Sequence, residues 1–216
     1  MGCDDCGVVR KVGRCSAHTS KSQDTRLSRE YYQESFDDGI PLNASYAQEL
    51  GTALREMDAP AFPRDASILE VGCGIGRLVP WFLHGGLRYT AVETDPWAGR
   101  YVRDAYQVEV EAAPWQDMVV EPRSFDIVAS LHFLEHTTEA DVAFEKMVMA
   151  ARRYVLLVVP DGSDLCNPDH WWMFSQDVLR AWARNLDLRL YGPVQKSVAV
   201  PEETIYALFE LPDEGA

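Results

Sequence analysis

No run of apolar residues in this 216-residue chain approaches the roughly 20 that cross a bilayer as a helix, so no membrane span is expected. The sequence also has no charged-then-apolar leader, and a cytoplasmic protein is the expectation. Basic residues are scarce: 20 Lys and Arg stand against 34 Asp and Glu, a formal charge of -14. A chain of that sign is a poor partner for nucleic acid or an anionic membrane. The deficit is uneven, because residues 1–30 carry six basic and four acidic side chains, which leaves room for a local basic tail. Cysteines are few and odd in number. Of the five, Cys3, Cys6 and Cys15 crowd the N-terminus, while Cys73 and Cys166 stand apart, which argues against a disulfide framework.

What is present suits one domain with a real core: 47% of residues are hydrophobic and 11% aromatic. Residues 1–26 read as a small cysteine-bearing appendage and linker, and 27–64 as an N-terminal helical cap. There Tyr46, Leu50, Leu54 and Met57 form one stripe, and Asn43 is placed to cap it. From 65 to 216 strand-like and helix-like runs alternate. "SILEV", "RYTAVET", "VEVEA", "SFDIVASL" and the continuous apolar "YVLLVVP" read as strands, separated by the helical "RLVPWFLH", "DPWAGRYVRDAY" and "EADVAFEKMVMAARR". "FSQDVLRAWARNL" is a further helix with Ser175 as its cap, and "LRLYGP" and "TIYALFEL" close the sheet. The pattern predicts a three-layer α/β sandwich around a mostly parallel seven-stranded sheet.

"ILEVGCGIGRL" sets Gly72, Gly74 and Gly76 at every second position, directly after the first of these strands. Glycine lets the backbone turn tightly where a side chain would block a ligand. The same spacing serves dinucleotide sites, and it is also compatible with a plain strand–helix turn. Two acids narrow the choice. Glu70 lies two residues before Gly72, where a carboxylate suits a positively charged ligand better than a pyrophosphate. Glu93 lies 21 residues past Gly72, the interval of an acid that accepts hydrogen bonds from ribose hydroxyls. Asp95 competes for that role but also fits a helix cap before Pro96.

Taken together, "ILEVGCGIG", "AVETDP", "SFDIVASLHFLEH" and "HWWMFSQDVLRAW" resemble the class I S-adenosylmethionine-dependent methyltransferases over about residues 65–190. The likeness is greatest to the small-molecule group that includes ubiquinone-biosynthesis-like enzymes. The resemblance implies a Rossmann-like fold and S-adenosylmethionine as cofactor. It implies that Glu70, Gly72 and Gly74 face the methionine end of that cofactor, with Gly76 completing the loop, and that Glu93 binds the ribose. It further implies an adenine-contacting segment at Glu111, Ala112 and Ala113, and a contact from Leu131 at the end of the fourth strand. The family often has an Asp after its third strand, which this chain lacks. Trp115 offers either an aromatic face to adenine or simple packing.

Methyl transfer needs an acceptor held in line with the methyl group and relieved of its proton. "LHFLEH" puts His132, Glu135 and His136 at the carboxyl edge of the sheet, where open α/β folds bind ligands. His132 and His136 are the candidate bases, each with the alternative of a turn histidine satisfied by its neighbours. Glu135 is placed to steady a histidine tautomer. "HFLEH" also spells a zinc-protease pattern, but that motif requires a helix and here it ends a strand. His170, Trp171 and Trp172 offer an aromatic wall over a flat or apolar acceptor, with at least one Trp expected to pack inward.

Cys3, Cys6, Cys15 and His18 form C-x2-C-x8-C-x2-H, a donor set that suits tetrahedral structural zinc. Its alternatives are a flexible cysteine-bearing terminus or redox use of "CDDC". Such a tip would dock a protein partner, recognise a substrate carrier or brace the fold. The leading expectation is methyl transfer to an O or N atom of a small molecule. The alternatives are an acceptor on a protein or modified nucleotide presented to the tip, and a regulatory subunit with the same fold and no turnover.

Overall fold

The extended runs assemble as the alternation predicts. The computed structural model describes residues 9–10, 39–161, 170–197 and 203–213. In chain order the elements are β1 (Val9–Arg10), α1 (Gly39–Glu56), β2 (Ser67–Val71), α2 (Val79–His84), β3 (Arg88–Val92), α3 (Pro96–Tyr106) and β4 (Glu109–Glu111). A 3-10 turn at Trp115–Asp117 precedes β5 (Phe125–Leu131), and another at Leu134–His136 follows it. Then come α4 (Ala140–Ala150), β6 (Ala151–Pro160), β7 (Trp172–Met173), α5 (Gln176–Asn185), β8 (Arg189–Ser197) and β9 (Glu203–Glu210).

Seven strands form one sheet in the order β4-β3-β2-β5-β6-β9-β8. The pairs from β4 to β6 are parallel, and β9 and β8 add antiparallel pairs. Strand order runs outward in opposite directions from β2, so the crevice between β2 and β5 opens at their carboxyl ends. Both faces are covered. Tyr46, Leu50, Ala53 and Met57 of α1 and the turn after it, with Val79 and Phe82 of α2 and Val102 of α3, pack on one face. Phe144 and Met147 of α4 and Val178, Leu179 and Trp182 of α5 pack on the other. Val155 to Val159 of β6 are buried from both sides, which explains their unbroken apolar run. Outside the sheet, β1 pairs antiparallel with β7, joining Val9 to Met173 and Arg10 to Trp172.

Two helix boundaries differ from the sequence reading. Asn43 lies inside α1, which already starts at Gly39, so it is not the cap. Pro41 then falls in the first turn, where no backbone N–H is needed. The helix expected to run through Arg153 ends at Ala150, and Ala151 turns extended to pair with Phe125 of β5. Sheet pairing there outweighs the helical preference of "AARR". The Cys3, Cys6, Cys15 and His18 cluster lies outside the described residues. No helix among the described residues is long and apolar enough to cross a membrane.

Candidate active site

The glycine loop leaves β2 at its carboxyl end. Gly72, Gly74 and Gly76 adopt φ of 72°, 53° and 76°, the left-handed region that other residues enter at a cost. Space is as limiting as torsion. A Cβ on Gly72 would meet Phe133 at 2.8 Å, and one on Gly76 would meet Val79 at 2.9 Å and Val102 at 3.0 Å. The loop is thereby wedged between Phe133 after β5 and the side chains of Val79 in α2 and Val102 in α3.

Glu93, just past β3, clamps this loop. Its Oε2 accepts the Gly74 N–H at 2.7 Å and its Oε1 accepts the Asp95 N–H at 2.9 Å. Burial raises its pKa, opposed by the backbone N–H groups of Asp95, Gly74 and Thr94, while the Asp95 charge adds to the rise. Each carboxylate oxygen has a second lone pair, so the clamp leaves capacity for two hydroxyl donors. Asp95 caps α3: its Oδ1 accepts the N–H groups of Trp97 and Ala98 at 2.9 and 2.8 Å.

Glu70 is placed differently from the sequence argument. It is 1% exposed, on the face of β2 that carries Ile68, and its Oε2 accepts the Tyr89 hydroxyl at 2.5 Å. Burial pushes its pKa up to about 8; the Tyr89 hydrogen bond opposes this and the Glu93 charge adds to it. At neutral pH the group is therefore largely neutral, which weakens its case as a charge partner for a cation. Cys73 packs beside it, buried, with its thiol pushed far up by burial and by the Glu70 and Glu93 charges. Such a thiol is inert.

Of the two readings of Trp115, the structure shows packing. The ring is buried in the core with α4, its Nε1 donates to the Ala143 carbonyl at 3.2 Å, and Lys146 lies 4.6 Å from the ring centroid. A ring held this way is not open to adenine. Ala113 is half-buried between β4 and the 3-10 turn, and Leu131 is half-buried at the end of β5.

Four polar side chains gather beyond β5. His132 has φ of 49°, and its Nδ1 lies 3.1 Å from Glu135 Oε1. Its Nε2 is buried without a hydrogen-bond partner, and the Tyr46 ring of α1 stands edge-on at 6.0 Å. Glu135 is fully buried. Burial opposes its ionisation, but the hydrogen bond from His132 and the charges of His132, His136 and His170 hold its pKa below the usual carboxylate range. The rings of His136 and His170 meet edge to face at 4.9 Å. The Trp171 N–H donates to the Glu135 carbonyl at 2.7 Å, and Trp172 Nε1 donates to the Thr137 carbonyl at 2.7 Å. Both indoles are half-buried, and Trp172 also packs against the core under α4 and α5. The structure thus brings His132, Glu135, His136, His170 and Trp171 together, a short distance along the sheet edge from the loop and Glu93.

Sequence reasoning missed three participants. Tyr89 is the Glu70 partner, Tyr46 faces His132, and Arg77 lies 5.7 Å over the same Tyr46 ring with its Nη1 buried and unpartnered. These pairs join elements far apart in the chain, and no local spacing encodes them.

Residues 69–159 match the family described as a methyltransferase domain. A curated relative, the ribosomal RNA large subunit methyltransferase F of Pectobacterium atrosepticum, is 41% identical over 61 residues. That stretch is 27% of this chain and 20% of the relative, so the chain spans only about a fifth of that protein's length. Solved structures match far more of the chain. The 1,6-didemethyltoxoflavin-N1-methyltransferase of Burkholderia thailandensis is 18% identical with a TM-score of 0.61, over 86% of this chain and 87% of that one. The magnesium protoporphyrin IX methyltransferase of Synechocystis is 12% identical with a TM-score of 0.64, over 89% and 99%. A Haloferax volcanii structure, a complex of a methyltransferase with a methyltransferase activator, is 13% identical with a TM-score of 0.67, over 86% and 96%. The family match covers less than half of the chain, and these solved structures, all under 25% identical, share its α/β fold. The Burkholderia structure holds bound S-adenosylhomocysteine and the Synechocystis structure bound SAM.

Proposed function

We propose that the protein transfers a methyl group from S-adenosylmethionine to an O or N atom of a small molecule. The observation that carries this reading is the Glu93 clamp on a loop of three left-handed glycines at the β2–β5 crevice. The bound donor would supply an electrophilic methyl group. Gly72, Gly74 and Gly76 would give its methionine end backbone access, with Glu70 behind them as a neutral wall rather than a counter-charge. Glu93 would accept from the ribose, and Ala113 and Leu131 would flank the adenine side.

His132 is the proton acceptor in this proposal. With Nδ1–H donated to Glu135, Nε2 keeps its lone pair, and that atom has no other partner. His136 is the second candidate. His170, Trp171 and Trp172 would wall the acceptor, favouring a flat or apolar molecule such as those of the ubiquinone-biosynthesis-like group. Two of the structural neighbours are named for flat heteroaromatic acceptors, which supports that class. Residues 1–26 would form a zinc-bearing appendage through Cys3, Cys6, Cys15 and His18, 27–64 a helical cap and 65–216 the catalytic domain, in the cytoplasm.

Calorimetry with S-adenosylhomocysteine tests the cofactor site: binding that falls at least tenfold in Glu93→Ala is expected, and no binding by the wild type defeats the reading. A labelled-methyl assay over a panel of small aromatic acceptors tests the chemistry. His132→Ala should lose at least a hundredfold in kcat with S-adenosylhomocysteine affinity retained. Binding without transfer to any acceptor would favour a regulatory subunit. Transfer only to protein or RNA fractions would favour an acceptor presented to the N-terminal tip, a reading supported by the pairing of β1 with β7 beside the wall.

A further inference from the structure

The hydrogen bond to His132 uses only half of the Glu135 carboxylate. Oε1 faces His132 Nδ1, while Oε2 is buried and has no hydrogen-bond partner. Leaving an acceptor of a fully buried carboxyl group unmatched is costly, and native structures rarely do it without an ion or water to complete the site. The same carboxyl group lies among imidazoles. One ligand atom from each of Glu135, His136 and His170 lies within 4.8 Å of the others. Glu135 is 0% and His170 8% exposed.

We propose that Glu135, His136 and His170 bind one divalent cation of the zinc class. Two imidazoles and one carboxylate are a zinc donor set that leaves a fourth position for water. Calcium and magnesium are disfavoured, because both prefer shells made wholly of oxygen. With bonds of about 2.0–2.1 Å, ligand atoms of a tetrahedral site stand about 3.4 Å apart, so no gap among the three needs to close by more than about 1.4 Å. The cation would take Glu135 Oε2 while Oε1 keeps His132, so one carboxylate would hold both the metal and the proposed base, and carboxylates that bind a metal are commonly hydrogen-bonded in turn. It would also tie the turn after β5 to the chain entering β7, the two segments that carry the acceptor wall. With His136 committed as a ligand, His132 alone is left to accept a proton. The proposed ligands include none of Cys3, Cys6, Cys15 and His18, and the site does not depend on methyl transfer.

The test uses the full chain with Cys3, Cys6 and Cys15 all replaced by Ser, so that the N-terminal donors are absent. Titration with cobalt should give one equivalent bound, with visible bands of a four- or five-coordinate ion and no thiolate charge-transfer band, and zinc should displace it. His170→Ala and His136→Ala, introduced separately, should each weaken cobalt and zinc binding at least tenfold. Thermal unfolding without metal reports whether each variant is folded. Failure of the Cys-substituted parent to bind either ion overturns the proposal, whatever the variants do. Equal affinity in folded His136→Ala and His170→Ala chains also overturns it.

Discussion

Single residues decide the electrostatics behind the glycine loop. Glu70 holds its proton up to about pH 8 in the folded chain, against a usual value of 4.5. Between those values the folded state carries a proton that the unfolded state has released. Stability contributed by this group is therefore lost as pH rises from about 4.5 to 8, by at most ~1.4 kcal/mol per pH unit. Glu70→Gln cannot titrate and should escape that slope. Urea unfolding at pH 5.5 and 7.5 checks this: the variant should gain on the wild type as pH rises, and parallel losses would refute the assignment. Gly76 offers a contrast of cause. Gly76 and Gly86 share a φ near 80°, but a Cβ at Gly76 meets Val79 at 2.9 Å, whereas one at Gly86 meets only Arg64 at 3.6 Å. Torsional strain applies to both, and crowding to Gly76 alone. Gly76→Ala should cost about 1–3 kcal/mol more than Gly86→Ala and should weaken S-adenosylhomocysteine binding, which Gly86→Ala should leave intact. Chemical unfolding and calorimetry on both variants read the difference.

At the scale of elements, most of what the chain encodes locally was legible. β2, β3, β5 and β6 announce themselves because each is buried on both faces, and α5 starts where Ser175 accepts the Val178 N–H. Asp95 is the clearest case. The Asp-Pro pair reads as a cap, and the carboxylate does bond two backbone N–H groups of α3. Asp95→Ala should therefore lower stability by ~1 kcal/mol. Because Glu93 accepts the Asp95 backbone N–H rather than its side chain, cofactor binding should survive within about threefold; scanning calorimetry and a titration would expose a larger loss as a direct ligand role. Boundaries were harder to read where pairing with a distant strand competes with local preference. Ala151 is helix-forming in sequence but extended in the fold, because Phe125 of β5 is beside it. The site divides in the same way. The loop, Glu93 and the histidine turn are motifs of fixed spacing and could be named in advance. The neutral state of Glu70, the burial of Trp115 and the approach of Tyr46 to His132 depend on packing between elements, for which a sequence has no ruler.

At the scale of the whole molecule, the edge that holds the candidate site joins segments far apart in the chain. β7 sits between two attachments: its backbone pairs with β1, and the Trp172 indole donates to the Thr137 carbonyl after β5. The β1 ladder is only two residues long and lies outside the seven-stranded sheet, so it adds little to global stability. Its local effect is larger, because β7 directly follows His170 and Trp171. Removing residues 1–26 deletes β1 while leaving α1 and every strand of the main sheet in the chain. The truncated protein should unfold within about 1–2 kcal/mol of the full chain and should bind S-adenosylhomocysteine with unchanged affinity, since the loop and Glu93 directly follow β2 and β3. Amide exchange at Trp172 and Met173 should accelerate at least tenfold as the pairing disappears. The KM for a small-molecule acceptor should rise with kcat less affected, because the wall loosens while the cofactor and His132 stay in place. Unchanged exchange at those two amides would show that β1 does not brace the wall. Faster exchange with an unchanged KM would show that the wall does not hold the acceptor.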